Sequence, residues 1–552
     1  MLIYAALIGV GAGYGAVGFR ALIGLFNHLA FGVSQAQLAS YHGYRVLFVP
    51  IIGGLLVGLI VHFFAREAKG HGVPEVMYAI TEQHGVLRPR VVVVKALASS
   101  ICIGTGGSVG REGPIVQIGS AWGSTFGQLI GVGENQLKIL VACGAAGGIA
   151  ATFNAPIGGV LFGAEIVLGS FMISNLGAMV VTSVIAAAIG RAYFGDFASF
   201  TMPPYAVSGI PILSAFVVLG IVGGLFGVFY TRVLYLFEDF WEGLRRLPEW
   251  VKPATGGIVI AATGFFLPQV MGVGYPSVDA ALGGKLGLGL LLALLAGKLF
   301  LTSATLGSGG SGGVFAPGLY MGSMLGGAFG VILHLLIPSL PVTGGAFAMV
   351  GMATVFASSA RAPITAIVML FEMTGDYNLI LPLMLATVIG TAIASVIEKE
   401  SIYTFKLLRR GVDIIRKRRP DRLSAILVEE AMRPLVVRLT DTLKINDAIL
   451  ELDRSGESLA ALQTADGHMR GLISRHQLFE ELSHWRGGNR KLKRITPLKT
   501  GSVLGKFPLA EASKIMSQLH VPFLVVLGEE GDPVGILDTD DIVRAYSRFT
   551  EG

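Results

Sequence analysis

The sequence predicts an all-α polytopic membrane domain of two related halves, rich in short broken helices, followed by a cytoplasmic α/β tail. Three observations carry the prediction. The chain of 552 residues is 53% hydrophobic and only 14% charged, with a mean hydropathy of +0.68, where soluble domains run to about 25% charged. A stretch at residues 104–127 recurs at 307–330. From about residue 424 the pattern changes to apolar strands alternating with amphipathic helices.

Residues 2–33 are apolar and long enough to cross a bilayer of about 30 Å. Met1 opens directly on this segment without a basic leader, so no cleavable signal is expected. Gly13-Tyr14-Gly15-Ala16-Val17-Gly18 fits the dinucleotide pattern GxGxxG. No strand precedes it, so it reads as helix packing. A second span covers Val46–Phe64. Gly70-His71-Gly72-Val73-Pro74 then leads glycines into a proline, a helix start. Lys95 lies in the apolar run Val91–Ile103. An intramembrane lysine is costly and a functional candidate; the alternative is that it snorkels to the interface.

Gly104-Thr105-Gly106-Gly107-Ser108-Val109-Gly110-Arg111-Glu112-Gly113-Pro114 follows, then an apolar run to Phe126. Helix starts present unpaired N–H groups and a positive dipole end, which makes them anion sites. Glu112 is placed to fill that site as an internal anion. At an offset of 203 this stretch matches Gly307 to Gly330, with Gly110 on Gly313 and Pro114 on Pro317. At an offset of 207, Ala155-Pro156-Ile157 matches Ala362-Pro363-Ile364, and Glu165 matches Glu372. Repeated halves are a common transporter plan, and interrupted helices point to a mid-membrane site. Many pieces between 114 and 190 are shorter than the roughly 20 residues a span needs.

The second half runs from about 205 to 400, ending near Ser401-Ile402-Tyr403-Thr404. Lys406, Arg409, Arg410, Arg416, Lys417, Arg418 and Arg419 come next. A basic cluster beside a span faces the cytoplasm. Because the basic residues gather there, nucleic acid is not an expected partner. Cys102 and Cys143 both lie in apolar segments, so no disulfide framework is expected. The tail repeats: Gly471-Leu472-Ile473-Ser474 and Gly535-Ile536-Leu537-Asp538 stand 64 residues apart, each before a helix.

These residues resemble the chloride channel and transporter (ClC) family along nearly the whole chain. Gly110-Arg111-Glu112-Gly113-Pro114 is similar to the family's GREGP, and Gly313-Val314-Phe315-Ala316-Pro317 to its GxFxP. Gly70-His71-Gly72-Val73-Pro74 resembles its GSGIP, Phe153-Asn154-Ala155-Pro156 resembles another family segment, and Tyr403 stands where the family has a pore tyrosine. The resemblance implies a ClC-type transmembrane domain at 1–412, with inverted repeats at about 1–195 and 205–400. It implies a basic linker at 413–423 and a tandem CBS pair at 424–552. It further implies a multi-pass cell-membrane protein, a homodimer with one anion pathway per subunit, and chloride or similar small anions as cargo. Glu112 would be the gate. His71, Gly110, Arg111, Gly113, Val314, Phe315, Ala316 and Tyr403 would form the anion-binding set.

The chemistry agrees. A bare anion in a low-dielectric interior costs tens of kcal/mol by Born estimates, while conduction needs sites weak enough to release it. Partial charges on helix starts and hydroxyls meet both demands. Ionised, Glu112 mimics the anion and blocks the path; protonated, it loses its hold on the N–H groups.

Three departures shape the expectation. His71 replaces the family's central serine. Either its ring holds the anion, more tightly when protonated, or it turns away and backbone groups serve. Ile166 stands where family exchangers often carry an inner glutamate, directly after Glu165. That favours passive, channel-like chloride flow; the alternative is a chloride/proton antiporter with another proton route, through Glu112, His71 or Glu165. Glu165 itself, paired by the repeat with Glu372, reads as structural or as part of the dimer contact. The CBS pair splits its nucleotide marks between Ser474 and Asp541, with Gln477 and Asp538 at the other two places. An adenine nucleotide is therefore a possible ligand of the tail and a dimerising scaffold its alternative. No other cofactor, no metal and no enzymatic activity is expected, since HExxH, metal-ligand spacing and GK[ST] are all missing. A third reading, a membrane-anchored nucleotide sensor without transport, leaves the broken helices unexplained.

Overall fold

The computed structural model describes every residue except 35, 197–198, 201–209, 339–343, 416–422, 424–425, 484–486, 530 and 552. Of the basic run, Arg416, Lys417, Arg418 and Arg419 lie outside the described residues, as do most of the linker at 413–423 and the boundary at 205. The chain divides into two units, Met1–Arg416 and Lys417–Gly552.

The first half of the membrane unit holds α1 (Leu2–Phe31), α2 (Val49–Phe64), α3 (Val73–Glu82), α4 (Arg90–Gly104), α5 (Glu112–Leu129), α6 (Glu134–Phe153), α7 (Pro156–Leu161) and α8 (Ile173–Phe194). A π-helical turn, Phe162–Leu168, prolongs α7. The second half holds α9 (Ile210–Gly243), α10 (Lys252–Phe266), α11 (Tyr275–Leu282), α12 (Leu288–Gly307), α13 (Phe315–Leu336), α14 (Gly344–Ala360), α15 (Pro363–Thr374), α16 (Ile380–Ile397) and α17 (Thr404–Arg409). Among the described residues, seven helices are long and apolar enough to cross a membrane: α1, α6, α8, α9, α12, α13 and α16. The others are short because the sequence restarts them. Proline occupies the first or second position of α2, α3, α7, α10, α11 and α15, where its missing N–H costs nothing.

The glycine-rich match to GxGxxG lies inside α1, where a Cβ on Gly13 would meet Ile189 of α8 at 3.0 Å. It is a helix contact, as expected. The same device closes two other pairs. A Cβ on Gly119 of α5 would lie 2.2 Å from the Gly144 carbonyl of α6, and one on Gly322 of α13 would lie 2.4 Å from the Gly351 carbonyl of α14. Only glycine allows backbones so close.

The two halves make reciprocal contacts. The Glu165 carboxylate accepts from the N–H of Ile364 and Thr365 at the start of α15, at 3.3 and 2.7 Å. Glu372 accepts from Ile157 and Gly158 at the start of α7, at 3.0 and 2.6 Å. Each acid caps the other copy's helix. Lys95 is fully buried and does not snorkel: its Nζ donates to the carbonyls of Ala68 and Gly70, at 2.9 and 2.8 Å. Lys298, its counterpart at offset 203, donates to Val270 and Gly272 at 3.2 and 2.8 Å. Ser311 Oγ donates to Ala68 O at 2.8 Å, and its counterpart Ser108 Oγ to Val270 O at 2.7 Å. Gly272-Val273-Gly274-Tyr275-Pro276 is therefore a second copy of Gly70-His71-Gly72-Val73-Pro74.

The tail holds β1 (Arg433–Pro434), β2 (Arg438–Thr440), β3 (Leu459–Gln463), β4 (Met469–Ser474), β5 (Gly501–Leu504), β6 (Phe523–Leu527) and β7 (Pro533–Asp538). They form two sheets, ordered β2-β3-β4 and β1-β7-β6-β5. In each, a parallel pair is followed by an antiparallel one: β2 with β3 then β4, β5 with β6 then β7. Helices Ile445–Ser455 and Leu509–Leu519 are the crossovers that parallel pairing requires. Helices Arg475–Leu482 and Thr539–Glu551 follow β4 and β7, as the tandem repeat predicts.

Candidate functional site

The loops that precede α5 and α13 cross in the interior of the membrane unit. Gly110 N–H donates to the Gly313 carbonyl at 2.9 Å, and Gly313 N–H to the Gly110 carbonyl at 2.7 Å. A third loop joins them: Gly70 N–H donates to Gly310 O at 3.1 Å, and Gly312 N–H to Gly70 O at 3.3 Å. Irregular backbone survives at membrane depth only when protein satisfies its polar groups. Here the loops satisfy one another, and both helix starts are turned to one place.

Glu112 occupies that place. It is 1% exposed, and its Oε1 accepts from Ala316 N–H at the start of α13 at 2.9 Å. Its Oε2 is buried without a hydrogen-bond partner. A Cβ on Gly110 or Gly313 would fall 2.0 or 2.3 Å from Oε1, so both glycines are needed to admit the carboxylate. Taking a carboxylate out of water costs several kcal/mol. The unpaired N–H groups and dipole of α13 offset part of that cost.

The other residues expected in the anion-binding set are almost all buried around this point. Val314, Phe315, Ala316 and Tyr403 are each 3% exposed or less. Phe315 is held between Phe153 and Phe356, with ring centroids 5.2 and 4.3 Å away. Tyr230 donates its hydroxyl proton to the Val314 carbonyl at 3.2 Å. Gly113 packs on the His71 backbone, where an added Cβ would lie 2.2 Å from the His71 carbonyl. The His71 ring is buried, 6.1 Å from Tyr403, with Nε2 3.4 Å from the Tyr235 hydroxyl and Nδ1 without a partner. Arg111 turns away from the carboxylate's N–H partner. Its Nη2 donates to the Thr152 carbonyl at 3.4 Å and its guanidinium stacks 5.1 Å from Tyr275. It lines a cavity of about 590 Å³ together with Arg20 and Arg191.

Glu165 spends both carboxylate oxygens on α15. Ile166 is buried in the π-helical turn. In the tail, Ser474 Oγ accepts from Gln477 N–H at 3.1 Å and starts its helix. Asp538 and Asp541 cap each other's backbone N–H at 3.0 and 2.7 Å. Asp541 also pairs with Arg433 and Arg544, at 3.0 and 2.7 Å. Burial pushes its carboxyl above the usual carboxylate range. Both candidate nucleotide residues are thus engaged within the protein. Sequence reasoning missed Tyr235, Tyr230 and Lys298. Only Lys298 carried a signal, its offset of 203 from Lys95; the tyrosines sit in an apolar helix with no motif around them.

The profile of the voltage gated chloride channel family matches residues 53–395, and that of the CBS domain matches 502–548. The chain is 34% identical over 424 residues to a protein of Ralstonia nicotianae named as a ClcB-like chloride channel protein, covering 75% of this chain and 98% of that one. It is 36% identical over 369 residues to the H(+)/Cl(-) exchange transporter ClcA of Vibrio cholerae serotype O1, covering 66% and 78%. A crystal structure of a slow cyanobacterial Cl-/H+ antiporter superposes with a TM-score of 0.68 at 28% identity, covering 74% of this chain and 97% of that chain. A eukaryotic CLC transporter, at 20% identity and a TM-score of 0.64, shares the fold over 98% of this chain.

The expectation of passive flow is overturned by these relatives. The similar proteins of four Vibrio species carry the exchange-transporter name, and the superposed cyanobacterial protein is an antiporter. The physical reason is that Ile166 removes one carboxylate relay and nothing else. A proton-accepting group elsewhere within hydrogen-bond reach of the path can serve the same purpose.

Proposed function

The chain belongs to the voltage gated chloride channel family, and from that premise we propose that it exchanges chloride for protons, with Glu112 as gate and proton carrier. The protein is a polytopic membrane transporter, not an enzyme, with its CBS pair in the cytoplasm. The observation that carries the proposal is the Glu112 carboxylate seated on the Ala316 N–H at 2.9 Å with its second oxygen unpartnered. A carboxylate that can trade places with an anion needs a seat built from N–H groups and no locking cation. Glu112 has both, since the Arg111 side chain is directed elsewhere.

In this reading, backbone N–H groups at Gly113, Val314, Phe315 and Ala316 cradle the anion, with Tyr403 and His71 beside it, while Gly110 spends its N–H on the Gly313 carbonyl and holds the two loops together. An outer proton neutralises Glu112, weakens its hold on α13 and opens the seat. The anion that enters prevents return until Glu112 deprotonates. The membrane unit works as inverted repeats, and two copies of the chain assemble as a homodimer. The tail serves as a scaffold for that assembly. Nucleic acid is no partner. Simultaneous recording of chloride efflux and proton movement from liposomes holding the full chain tests the proposal. A fixed ratio of chloride to protons is expected; chloride efflux with no proton movement refutes exchange.

A further inference from the structure

The buried histidine in the loop before α3 has its tautomer set by its neighbours. A tyrosine hydroxyl has one proton to give. Tyr235 gives it to the Ile402 carbonyl, 2.6 Å away, which can only accept. Toward His71 the same oxygen must therefore accept, so Nε2 carries the hydrogen across the 3.4 Å contact. In the neutral ring, Nδ1 then has a bare lone pair. That atom is buried and has no partner. An orphaned polar atom in a packed interior calls for an explanation, and a proton acceptor is the one its chemistry offers.

Its place is equally specific. On one side the His71 backbone touches Gly113, the residue after Glu112. On the other, Lys406 Nζ would stand 2.7 Å from a Cβ at Gly70, and Arg410 pairs with Glu75 of α3 at 2.6 Å. Both belong to the basic end, which faces the cytoplasm. So Nδ1 of His71 and Oε2 of Glu112, both unpartnered, sit on a loop and on a helix start that touch. We infer that His71 is the inner proton acceptor of the transport cycle, serving where the chain has Ile166 instead of a second carboxylate; this rests on the exchange reading above.

The step balances. A hydronium ion on the basic side gives a proton to Nδ1: one of its O–H bonds breaks to leave water, and an N–H bond forms to give an imidazolium. That N–H breaks as the proton passes through water to a Glu112 oxygen, forming O–H and restoring the neutral ring. The charged groups facing the ring are Lys95, Lys406 and Arg410, with Glu75 paired to Arg410 and Glu238 to Lys406; the phenols are Tyr235 and Tyr403. An added proton among these cations is held best when an anion shares the site, and Nδ1–H then donates to that anion. Proton uptake and anion occupancy rise together.

The test is the ratio of proton to chloride flux in liposomes holding the full chain, for wild type, His71→Ser and Tyr235→Phe. In His71→Ser, proton flux falls about 100-fold or more relative to chloride flux, as for loss of a general acid–base group. In Tyr235→Phe, which frees the tautomer, the ratio shifts in the same direction by less and its pH profile moves. A wild-type ratio in His71→Ser, with wild type itself coupled, overturns the inference and leaves exchange standing. Chloride flux without protons in wild type overturns both. Should His71→Ser not fold, an unchanged ratio and pH profile in Tyr235→Phe overturns the inference.

Discussion

The start of α5 and the start of α13 are two copies of one design put to opposite uses. Both follow a glycine-rich loop, both place proline in the first turn, and their loops hydrogen-bond to each other in both directions. At offset 203, Glu112 corresponds to Phe315 and Gly113 to Ala316. The first copy supplies a carboxylate; the second supplies the N–H that receives it. The loops before α3 and α11 differ in the same way, His71 standing opposite Val273. Elsewhere the copies agree, in the paired lysines Lys95 and Lys298 and the paired caps Glu165 and Glu372. The scaffold keeps its symmetry, and the chemistry lies where symmetry is broken.

The sharpest way to test that contrast is to remove the broken element. Glu112→Gln keeps the shape and loses the charge. Its proton flux is expected to fall ~100-fold or more, the range for losing a positioned proton carrier, with chloride flux retained and no longer pH-dependent. Full pH dependence in this variant places the gate elsewhere.

The symmetric elements should fail alike. Lys95→Met and Lys298→Met each orphan buried carbonyls, at about 1–3 kcal/mol for each unsatisfied group. Comparable losses of thermal stability in the two variants are expected. A large loss in one and none in the other breaks the symmetric reading.

Smaller effects belong to the crossed caps. Glu165→Gln and Glu372→Gln each weaken two charge-assisted hydrogen bonds at a helix start, about 1 kcal/mol by cap-deletion values, with the flux ratio unmoved. If Glu165→Gln alone uncouples protons, Glu165 is a relay and its likeness to Glu372 is incidental. The smallest signal is expected in the tail. Calorimetry of the 424–552 segment with ATP, ADP or AMP should give no binding heat, because Ser474 and Asp541 are already hydrogen-bonded within the protein. A saturable heat with any of them restores the nucleotide reading.

Much of this was legible before the fold was known. Proline and glycine mark helix starts by local backbone geometry, so the segments at 110–114 and 313–317 announce themselves. The repeat offsets place their partners, and the tail's alternation shows its strands. Lys95 was the opposite case. Its neighbours in sequence are all apolar, and its carbonyl partners at Ala68 and Gly70 come from another loop. Ile166 misled because one missing carboxylate was given more weight than the other proton routes the sequence left open, through Glu112, His71 or Glu165.

The sequence alone determined which segments become helices and which residues carry charge into an apolar interior, because those depend on neighbours a few residues away. It could not say that Glu112 rests on Ala316, that Glu165 and Glu372 exchange caps, or that Tyr235 orients His71. Those contacts join residues 164 to 215 positions apart. Only packing the two halves together brings such groups within hydrogen-bonding distance. Hydrogen bonds act over about 3 Å of space, whatever the distance along the chain.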